Sequence, residues 1–207
     1  MFYSILDSKR LALLPLLKGL KKSFYLAGGT GLALQIGHRD SIDFDFFCPK
    51  EFDTKKLFRE LKQMLKGHDI VRTQEDRNTL SVLIDESIRC SFFTYDYPLC
   101  KPTVKDENLQ IASLEDIACM KCSAVTSRAS NKDYIDLYFL FKRIPLEGVL
   151  ELAVKKFTDL DTNLVLKSLA YFDDVRMEHI LFKDGHDVDF ETVKSFLKKT
   201  VQKVKWW

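Results

Sequence analysis

The sequence predicts an α+β fold, with a strand-rich core followed by a helical C-terminal part. Segments with the apolar patterns of β-strands lie in the first half of the chain, and segments with helical spacing fill the second half. Strands followed by helices in this way are typical of α+β proteins. The change comes after Pro98 and Pro102, which places any boundary near residues 100–112.

Length, charge and cysteine content restrict the class of protein. The 207 residues suffice for one domain, or for a core with a helical extension. No apolar run has the length of a membrane span, and we interpret the N-terminal segment as a helix rather than a signal peptide. A net charge of +2 does not require nucleic acid or anionic lipid as a partner. The odd count of five cysteines favours a reduced, cytoplasmic protein.

The first half alternates helical and strand patterns. Gly28, Gly29 and Thr30 form a turn into a helix that Thr30 is able to cap. Residues 85–87 form a turn between two strands. In chain order we expect a helix over 4–21, a strand over 23–27, a helix over about 31–37, a strand over 42–47, a helix over 51–66, and strands over 70–74, 79–84 and 88–95.

Helices account for the second half. Ser113 and Asp116 resemble a capping box that opens a helix to about residue 127. Cys119 and Cys122 share one face of this helix, and the sequence offers no second ligand pair with zinc spacing. We therefore interpret both cysteines as small buried residues. Further helices are expected over 132–142, 146–157, 161–171 and 189–204.

A pair of aspartates on the predicted strand 42–47 is the first chemical signal. Residues i and i+2 of a strand point the same way, so Asp43 and Asp45 share one face while Ile42 and the alternate residues pack into the core. Two carboxylates this close repel each other unless a cation lies between them. We expect Mg²⁺, which takes oxygen ligands and commonly keeps substrate phosphates. An exposed edge strand that alternates Asp with apolar residues for solubility is the other interpretation.

The glycine turn lies one helix before this pair. Gly28 and Gly29 allow close approach of backbone to a ligand, and the N-terminus of the following helix directs N–H groups to the same place. A phosphate bound there would have its metal on Asp43 and Asp45, as phosphoryl transfer requires. The order strand, glycine turn, helix and Asp-x-Asp therefore indicates a site for a nucleoside triphosphate.

This order of motifs resembles the nucleotidyltransferase toxin family called AbiEii/AbiGii, which includes the MenT-type toxins. The family signature is a Gly-Gly-Thr turn, a helix, and an Arg-x-Ser-x-Asp-h-Asp-h-Phe stretch, where h is hydrophobic. Here the turn is Gly28–Thr30 and the stretch runs from Arg39 through Ser41 to Phe47. The likeness covers roughly residues 20–180. Its further segments are Tyr95–Pro98, Ile111–Lys121, Arg128–Tyr138 and Tyr171–Asp174.

The resemblance implies a DNA polymerase β-like nucleotidyltransferase fold. Its core, a small mixed sheet flanked by helices, would cover residues 1–105, and a helical C-terminal domain would cover 106–207. It implies transfer of a nucleotide from an NTP with Mg²⁺ or Mn²⁺ and release of pyrophosphate. Members act in toxin–antitoxin or phage-defence systems, and some modify the 3′ end of tRNA and block translation. The implied partners are an NTP, tRNA and a cognate antitoxin protein, in the cytoplasm and without a membrane.

Site residues follow from the same resemblance. The metal ligands would be Asp43 and Asp45. The implied catalytic residues are Asp43, Asp45, Lys121, Asp133 and Asp136. The implied NTP-binding residues are Gly28, Gly29, Thr30, Arg39 and Ser41. The implied RNA-binding residues are Arg128 and Lys132.

The roles of the C-terminal residues leave alternatives open. Lys121 would neutralise charge on the triphosphate, and Asp133 or Asp136 would orient either Lys121 or the incoming base. Lys132 and Asp136 also have the i, i+4 spacing of a helix-stabilising pair. Arg128 near a helix end would equally complement the helix dipole.

One residue of polymerase-like transferases is missing. They usually carry a third carboxylate on a neighbouring strand, which deprotonates the attacking hydroxyl or completes a second metal site. Counting back from Pro98, that place is Ser91; Asp85 lies in a turn, and Asp96 has the opposite strand parity. Either the enzyme works with two carboxylates and one firmly held metal, or the chain is a degenerate transferase that binds only nucleotide or a partner. Nucleotidylation of a protein hydroxyl is the alternative reaction.

The C-terminal helix carries lysines and ends in two tryptophans. These lysines, followed by Trp206 and Trp207, would bind RNA backbone and stack on a base. The other interpretation is a solvated amphipathic helix whose apolar face packs on the body of the protein.

Overall fold

The structure is a computed structural model that describes residues 1–183 and 185–205. Within these residues the chain forms seven β-strands, eight α-helices and two 3-10 helices, the latter at Tyr3–Ile5 and Leu16–Lys22. The strands are β1 (Tyr25–Leu26), β2 (Phe44–Cys48), β3 (Ile70–Asp76), β4 (Thr79–Ile84), β5 (Ile88–Thr94), β6 (Val104–Lys105) and β7 (Gln110–Ile111). The α-helices are α1 (Ser8–Leu13), α2 (Gly28–Ile36), α3 (Thr54–Met64), α4 (Leu114–Ser127), α5 (Asn131–Phe141), α6 (Leu146–Lys156), α7 (Thr162–Ser168) and α8 (Phe190–Lys203).

The described strands form one mixed sheet with the order β3-β4-β5-β2-β1-β7-β6. β2 pairs with β5, and β1 with β7, in parallel, whereas the other neighbours run antiparallel. Helices pack on both faces of the sheet. The predicted α+β fold, a small mixed sheet flanked by helices and followed by a helical part, is confirmed. Among the described residues, no helix combines the length and apolarity that crossing a membrane requires.

β2 lies between the two hydrophobic clusters of the protein, because its side chains alternate between the faces of the sheet. Phe44 and Phe46 are buried in a cluster with α3 and the N-terminal helices. Phe47 packs against the other cluster, in which α4, α5 and α6 contact Tyr25. Asp45 has the strand parity of Phe47 and therefore lies on the face that the C-terminal helices cover.

The prediction of one continuous N-terminal helix over 4–21 is wrong. The segment consists of α1 flanked by the two 3-10 helices. α1 ends before Pro15, which has no backbone N–H to continue the helix. Asp7 caps α1, because its carboxylate accepts a 2.8 Å hydrogen bond from the backbone N of Arg10.

α2 begins at Gly28, before the predicted start, and Thr30 does not cap it. The Thr30 hydroxyl instead donates to the backbone carbonyl of Asp43 and lies 2.8 Å from the Ser41 hydroxyl. The capping prediction is therefore wrong. Thr30 stabilises the segment that leads into β2.

β2 begins at Phe44, two residues later than predicted, so Asp43 lies just before the strand. Ile42 is 57% exposed, and its predicted place in the core is wrong. The strand pattern extends to Ile42 in sequence, but the ladder with β5 begins at Phe44 and Cys90.

The remaining elements follow the sequence pattern within a few residues. β3, β4 and β5 form an antiparallel meander. Ser113 caps α4 by accepting a 3.0 Å hydrogen bond from the N of Asp116. Cys119 and Cys122 are buried in α4, as the sequence indicated.

The hairpin β6–β7 extends the sheet beyond residue 105. β7 pairs with β1 through Ile111 and Leu26, and the cluster that contains α4 to α8 also includes Tyr25 and Leu32. The boundary between 1–105 and 106–207 falls inside this hairpin and stays a prediction.

α8 packs its apolar face on the body of the protein. Val193 and Leu197 are fully buried in the same cluster as α5. The packing interpretation of this helix is confirmed. The predicted contacts of Trp206 and Trp207 with RNA fall on residues that lie outside the described part of the chain.

A fully buried ion pair joins α4 to α6. The ammonium of Lys156 lies 2.9 Å from Asp116 Oδ1 and also donates to the carbonyl of Pro98 at 2.6 Å. Asp116 accepts further hydrogen bonds from the backbone N atoms of Cys100 and Lys101. This carboxylate therefore anchors the segment that connects the sheet to the helical part.

We predict that Lys156→Met destabilises the protein by about 3 kcal/mol, because it leaves the buried Asp116 carboxylate without its counter-charge. Urea unfolding measures the change. Lys155→Met is the matched control, since Lys155 is exposed on the same helix and its loss should change stability by less than about 0.5 kcal/mol. Equal effects of the two substitutions would contradict the prediction.

Candidate active site

A cleft of about 700 Å³ opens where β2 begins. The N-terminus of α2, the α4–α5 junction and the segment 173–182 surround it. Three of the predicted site residues, Gly28, Thr30 and Asp136, are not in its lining. The predicted site residues that line it are Gly29, Arg39, Ser41, Asp43, Asp45, Lys121, Arg128, Lys132 and Asp133. The structure thus brings residues from both halves of the chain to one cavity.

The two glycines allow the side chains of Asp45, Arg39 and Ser41 to approach the backbone at the start of α2. Gly28 has a φ of 63°, and a Cβ there would lie 3.0 Å from Asp45 Oδ2. A Cβ on Gly29 would lie 2.6 Å from Arg39 Nη2 and 3.1 Å from Ser41 Oγ. Glycine is therefore needed at both positions for the carboxylate and the guanidinium to reach the turn.

Asp43 and Asp45 lack a protein counter-charge at contact distance. Among the described residues, neither carboxylate has a Lys, Arg or His nitrogen within 4 Å, in contrast to Asp133 and Asp136. Burial, and then the charge of Asp43, raise the pKa of Asp45. A cation between the two carboxylates would remove this repulsion.

The donor set fits a hard divalent cation. Both available ligands are carboxylate oxygens, and the described residues contain no group of three His, Cys, Asp or Glu side chains that would enclose a metal. Mg²⁺ and Mn²⁺ suit such an open site, because Mg²⁺ is commonly bound by one or two carboxylates together with water and phosphate. A closed zinc-type site does not fit these residues.

Ser91 occupies the position beside Asp45 on the next strand. The parallel register pairs Asp45 with Ser91, so the two side chains share one face of the sheet. Ser91 is buried and lies 3.2 Å from the hydroxyl of Ser81 on β4. The residue counted from the sequence therefore lies beside Asp45 and carries a hydroxyl; its assignment to the third-carboxylate position stays a prediction.

A buried ionic network holds Lys121 at the cleft. Its Nζ lies 2.6 Å from Asp133 Oδ1 and 2.5 Å from Asp136 Oδ2. Arg39 binds Asp136 with two parallel hydrogen bonds, Nε to Oδ1 at 2.8 Å and Nη2 to Oδ2 at 2.9 Å. Both aspartates thus orient Lys121, and Asp136 also fixes Arg39.

His38 completes this network, although no sequence pattern indicated it. Its Nε2 lies 2.8 Å from Asp136 Oδ1, and both side chains are fully buried. Burial lowers the pKa of His38 despite the nearby carboxylate, so the ring is neutral at pH 7 and donates through Nε2. Burial alone would raise the pKa of Asp136, but Arg39, Lys121 and these hydrogen bonds hold it well below its ordinary value.

The two predicted RNA-binding residues each have an acidic partner. Arg128 donates to Asp133 through Nε at 2.9 Å, rather than acting only on a helix end. Lys132 lies 2.7 Å from Glu178, so its predicted pairing with Asp136 is wrong. The helix spacing was correct, but Asp136 faces the buried network.

The segment 173–182 forms a wall of the cleft that sequence reasoning missed. Asn131 fastens it to α5 by two hydrogen bonds with the backbone of Glu178, at 2.8 and 3.1 Å. Arg176 and His179 line the cleft from this wall and are exposed. The segment has no helical or strand periodicity, and its only sequence signal was the matching motif that ends at Asp174.

Comparison with known sequences identifies one matching family model. The family described as "Nucleotidyl transferase AbiEii toxin, Type IV TA system" matches residues 16–204. An uncharacterized protein of Aquifex aeolicus (strain VF5) is 38% identical over 190 residues, which cover 89% of each chain.

Comparison with solved structures supports the fold. MenT4, a nucleotidyltransferase toxin from Mycobacterium tuberculosis H37Rv, superposes with a TM-score of 0.65 at 16% identity, over 94% of this chain and 83% of its own. JHP933 from Helicobacter pylori gives a TM-score of 0.59 at 20% identity, over 96% of this chain and 90% of its own. These identities are low, so the two matches bear on the fold alone.

We predict that Ser91→Asp creates a metal-dependent carboxylate cluster. Without metal the variant should melt at a lower temperature than the wild type, because a third carboxylate beside Asp45 adds repulsion. Mn²⁺ should raise its melting temperature more than it raises that of the wild type. Ser81→Asp, on the neighbouring strand β4, is the control, and Mn²⁺ should not restore its melting temperature. An unchanged response of Ser91→Asp to Mn²⁺ would show that Ser91 is not a vacant ligand position.

We predict that Asp136→Asn lowers stability at pH 7 by about 3–5 kcal/mol, because Arg39 and Lys121 lose their buried counter-charge. Since the pKa of Asp136 is lowered, its stabilising effect is complete above the unfolded value near 3.8 and declines as the pH falls through the lower folded value. Urea titrations at pH 7 and pH 3 should therefore show a smaller difference from wild type at pH 3. Asp40→Asn, at a partly exposed pair with Lys183, should cost less than about 1 kcal/mol.

Proposed function

The chain belongs to the AbiEii nucleotidyl transferase toxin family of type IV toxin–antitoxin systems, and on that premise we propose that it transfers an NMP from an NTP to the 3′ end of tRNA and so blocks translation. The observation that carries this proposal is that one cleft is lined both by the carboxylates of Asp43 and Asp45, which have no contacting cation among the described residues, and by the anchored ammonium of Lys121. The two carboxylates suit the metal of a metal–triphosphate complex, and the ammonium suits its phosphates.

Asp43 and Asp45 would hold the divalent metal, for which we propose Mg²⁺, with Mn²⁺ as a substitute. When bound, the metal neutralises phosphate charge and aligns the α-phosphate for attack. Asp45 lies against Gly28, so the carboxylate and the N-terminus of α2 meet at the same point. The backbone N–H groups there would bind phosphate oxygens next to the metal.

Lys121 would stabilise the departing pyrophosphate. In the transfer, the acceptor hydroxyl oxygen bonds to the α-phosphorus while the bond from that phosphorus to the bridging oxygen breaks, and pyrophosphate leaves with the electron pair. Negative charge grows on the leaving oxygen, and an ammonium fixed by Asp133 and Asp136 meets it without reorganisation. The hydroxyl proton would pass to water, because Ser91 is a poor base.

Contacts to the NTP are proposed for the turn and for the segment before β2. Gly29, Arg39 and Ser41 line the cleft beside one another. Thr30 would act indirectly through its hydrogen bond to the Asp43 carbonyl. Arg39 is engaged by Asp136, so its contact to phosphate would use the edge of the guanidinium that faces Gly29.

The acceptor is proposed from the resemblance to MenT-type toxins, some of which modify the tRNA 3′ end. Arg128, Lys132 and Arg176 line the outer cleft and would contact RNA phosphates. Arg128 and Lys132 already have acidic partners, so each would supply only part of its charge to RNA. The family also implies a cognate antitoxin, which we propose as the protein partner of the system.

The test is transfer of label from each NTP, radiolabelled at the α-phosphate, into purified total tRNA with Mg²⁺. We expect labelled tRNA with wild-type protein and none with Asp43→Ala. Label in protein instead of tRNA would favour nucleotidylation of a protein hydroxyl. Absence of label from both fractions would favour a degenerate transferase and overturn the proposal.

We predict that Lys121→Met reduces kcat by about 10²–10³-fold, the loss typical when a preorganised electrostatic group is removed. Lys132→Met is the matched control at the mouth of the same cleft. It should leave kcat nearly unchanged and raise the KM for tRNA at physiological salt. Similar losses of kcat in both variants would argue against a specific role of Lys121.

A further inference from the structure

We propose that Arg10 is a positioning residue that holds Asp43 in place for metal binding. The inference rests on the proposed role of Asp43 and Asp45 in holding a divalent cation. Arg10 precedes the segment 16–204 that the family model matches, and the resemblance in sequence assigns it no role. It belongs to α1, which precedes the turn at Gly28 and Gly29 in the sequence.

The guanidinium of Arg10 is buried and binds two backbone carbonyls and one side-chain carboxylate. Arg10 is only 5% exposed, although it is a charged residue near the N-terminus. Its Nε donates to the carbonyl of Ile42 at 2.7 Å, and its Nη2 donates to the carbonyl of Ser87 at 2.8 Å. Its Nη1 pairs with Asp7, which caps α1. Each nitrogen of the planar fork thus has its own acceptor.

The contact with Ile42 fixes a segment that has little other support. Asp43 is not part of β2, whose ladder with β5 begins at Phe44. Ile42 is 57% exposed, so burial does not hold it either. Arg10 binds the carbonyl just before Asp43, and Thr30 binds the carbonyl of Asp43 itself. These two hydrogen bonds fix the peptide planes on both sides of the Asp43 Cα, and so set the direction of its carboxylate.

The contact with Ser87 ties the same guanidinium to the turn before β5. β5 places Ser91 beside Asp45, so Arg10 connects the segments that lead into the two strands carrying this face of the site. A lysine has one nitrogen and no planar fork, and it cannot bind both carbonyls with the same geometry. The arrangement therefore requires arginine.

Removal of this support should weaken metal binding rather than abolish folding. We expect Arg10→Met, which keeps the apolar stem, to weaken Mn²⁺ affinity by about 10–100-fold, the usual effect of losing a group that orients a ligand. Electron paramagnetic resonance of free Mn²⁺ measures the affinity without NTP or tRNA. Arg10→Lys should give an intermediate affinity, and it decides the question if Arg10→Met does not fold.

Asp7→Ala is the matched control for a purely structural effect. It removes the cap of α1 and the partner of Nη1, but leaves the contacts of Arg10 with Ile42 and Ser87. We expect a lower melting temperature with Mn²⁺ affinity within about twofold of wild type, since such caps mainly stabilise their helix. An equal loss of Mn²⁺ affinity in Asp7→Ala would overturn the positioning role, as would unchanged affinity in the folded Arg10 variants.

Asp43→Ala separates failure of this inference from failure of the proposed function. If wild-type Mn²⁺ affinity does not depend on Asp43, the proposed metal site is wrong and the role of Arg10 is lost with it. If the affinity depends on Asp43 but not on Arg10, only the positioning role is wrong. If both hold, Arg10→Met should have no further effect in the Asp43→Ala background.

Discussion

The buried carboxylate of Asp136 is the contact on which the site depends. It accepts hydrogen bonds from Arg39 and His38 and lies 2.5 Å from the ammonium of Lys121. These partners come from the segment after α2 and from α4, while Asp136 itself belongs to α5, so one carboxylate joins the sheet side of the cleft to its helical side. A charge buried this deeply is tolerable only when it is fully compensated. The position of Lys121 is therefore a consequence of how the core folds.

Asp136 and Asp45 differ in how the protein compensates their charges. Asp136 is compensated by protein cations, which hold its pKa well below the ordinary value. Asp45 is also largely covered, but burial and the neighbouring Asp43 raise its pKa. The first arrangement stabilises the fold, whereas the second leaves two neighbouring carboxylates whose repulsion a bound cation would relieve. Uncompensated charge of this kind, beside a fixed cation, is typical of functional sites.

Local patterns in the sequence predicted most of the fold and most of the residues that line the cleft. Period-two patterns predicted β2 and β5, whereas Ser91 was located from the family resemblance, by counting back from Pro98; the register of the two strands places it beside Asp45. Errors arose where a tertiary contact outweighs a local preference: Thr30 binds the Asp43 carbonyl instead of capping α2, and Ile42 is exposed because the ladder starts after it. The hydrogen bond between His38 and Asp136 joins residues 98 positions apart, and no local sequence pattern indicates such a pair.

The serine beside Asp45 bears on which part of the proposed reaction the cleft would assist. A third carboxylate would supply a base for the attacking hydroxyl, but it would also add repulsion to a pair that is already uncompensated. Ser91 avoids that repulsion and is hydrogen-bonded to Ser81 instead. Under the proposed function, the reaction would then depend on stabilising the leaving group. Lys121, held by the carboxylates of Asp133 and Asp136, would under that proposal face the departing pyrophosphate. The serine beside Asp45 and the fixed ammonium of Lys121 would thus be two parts of the same electrostatic arrangement.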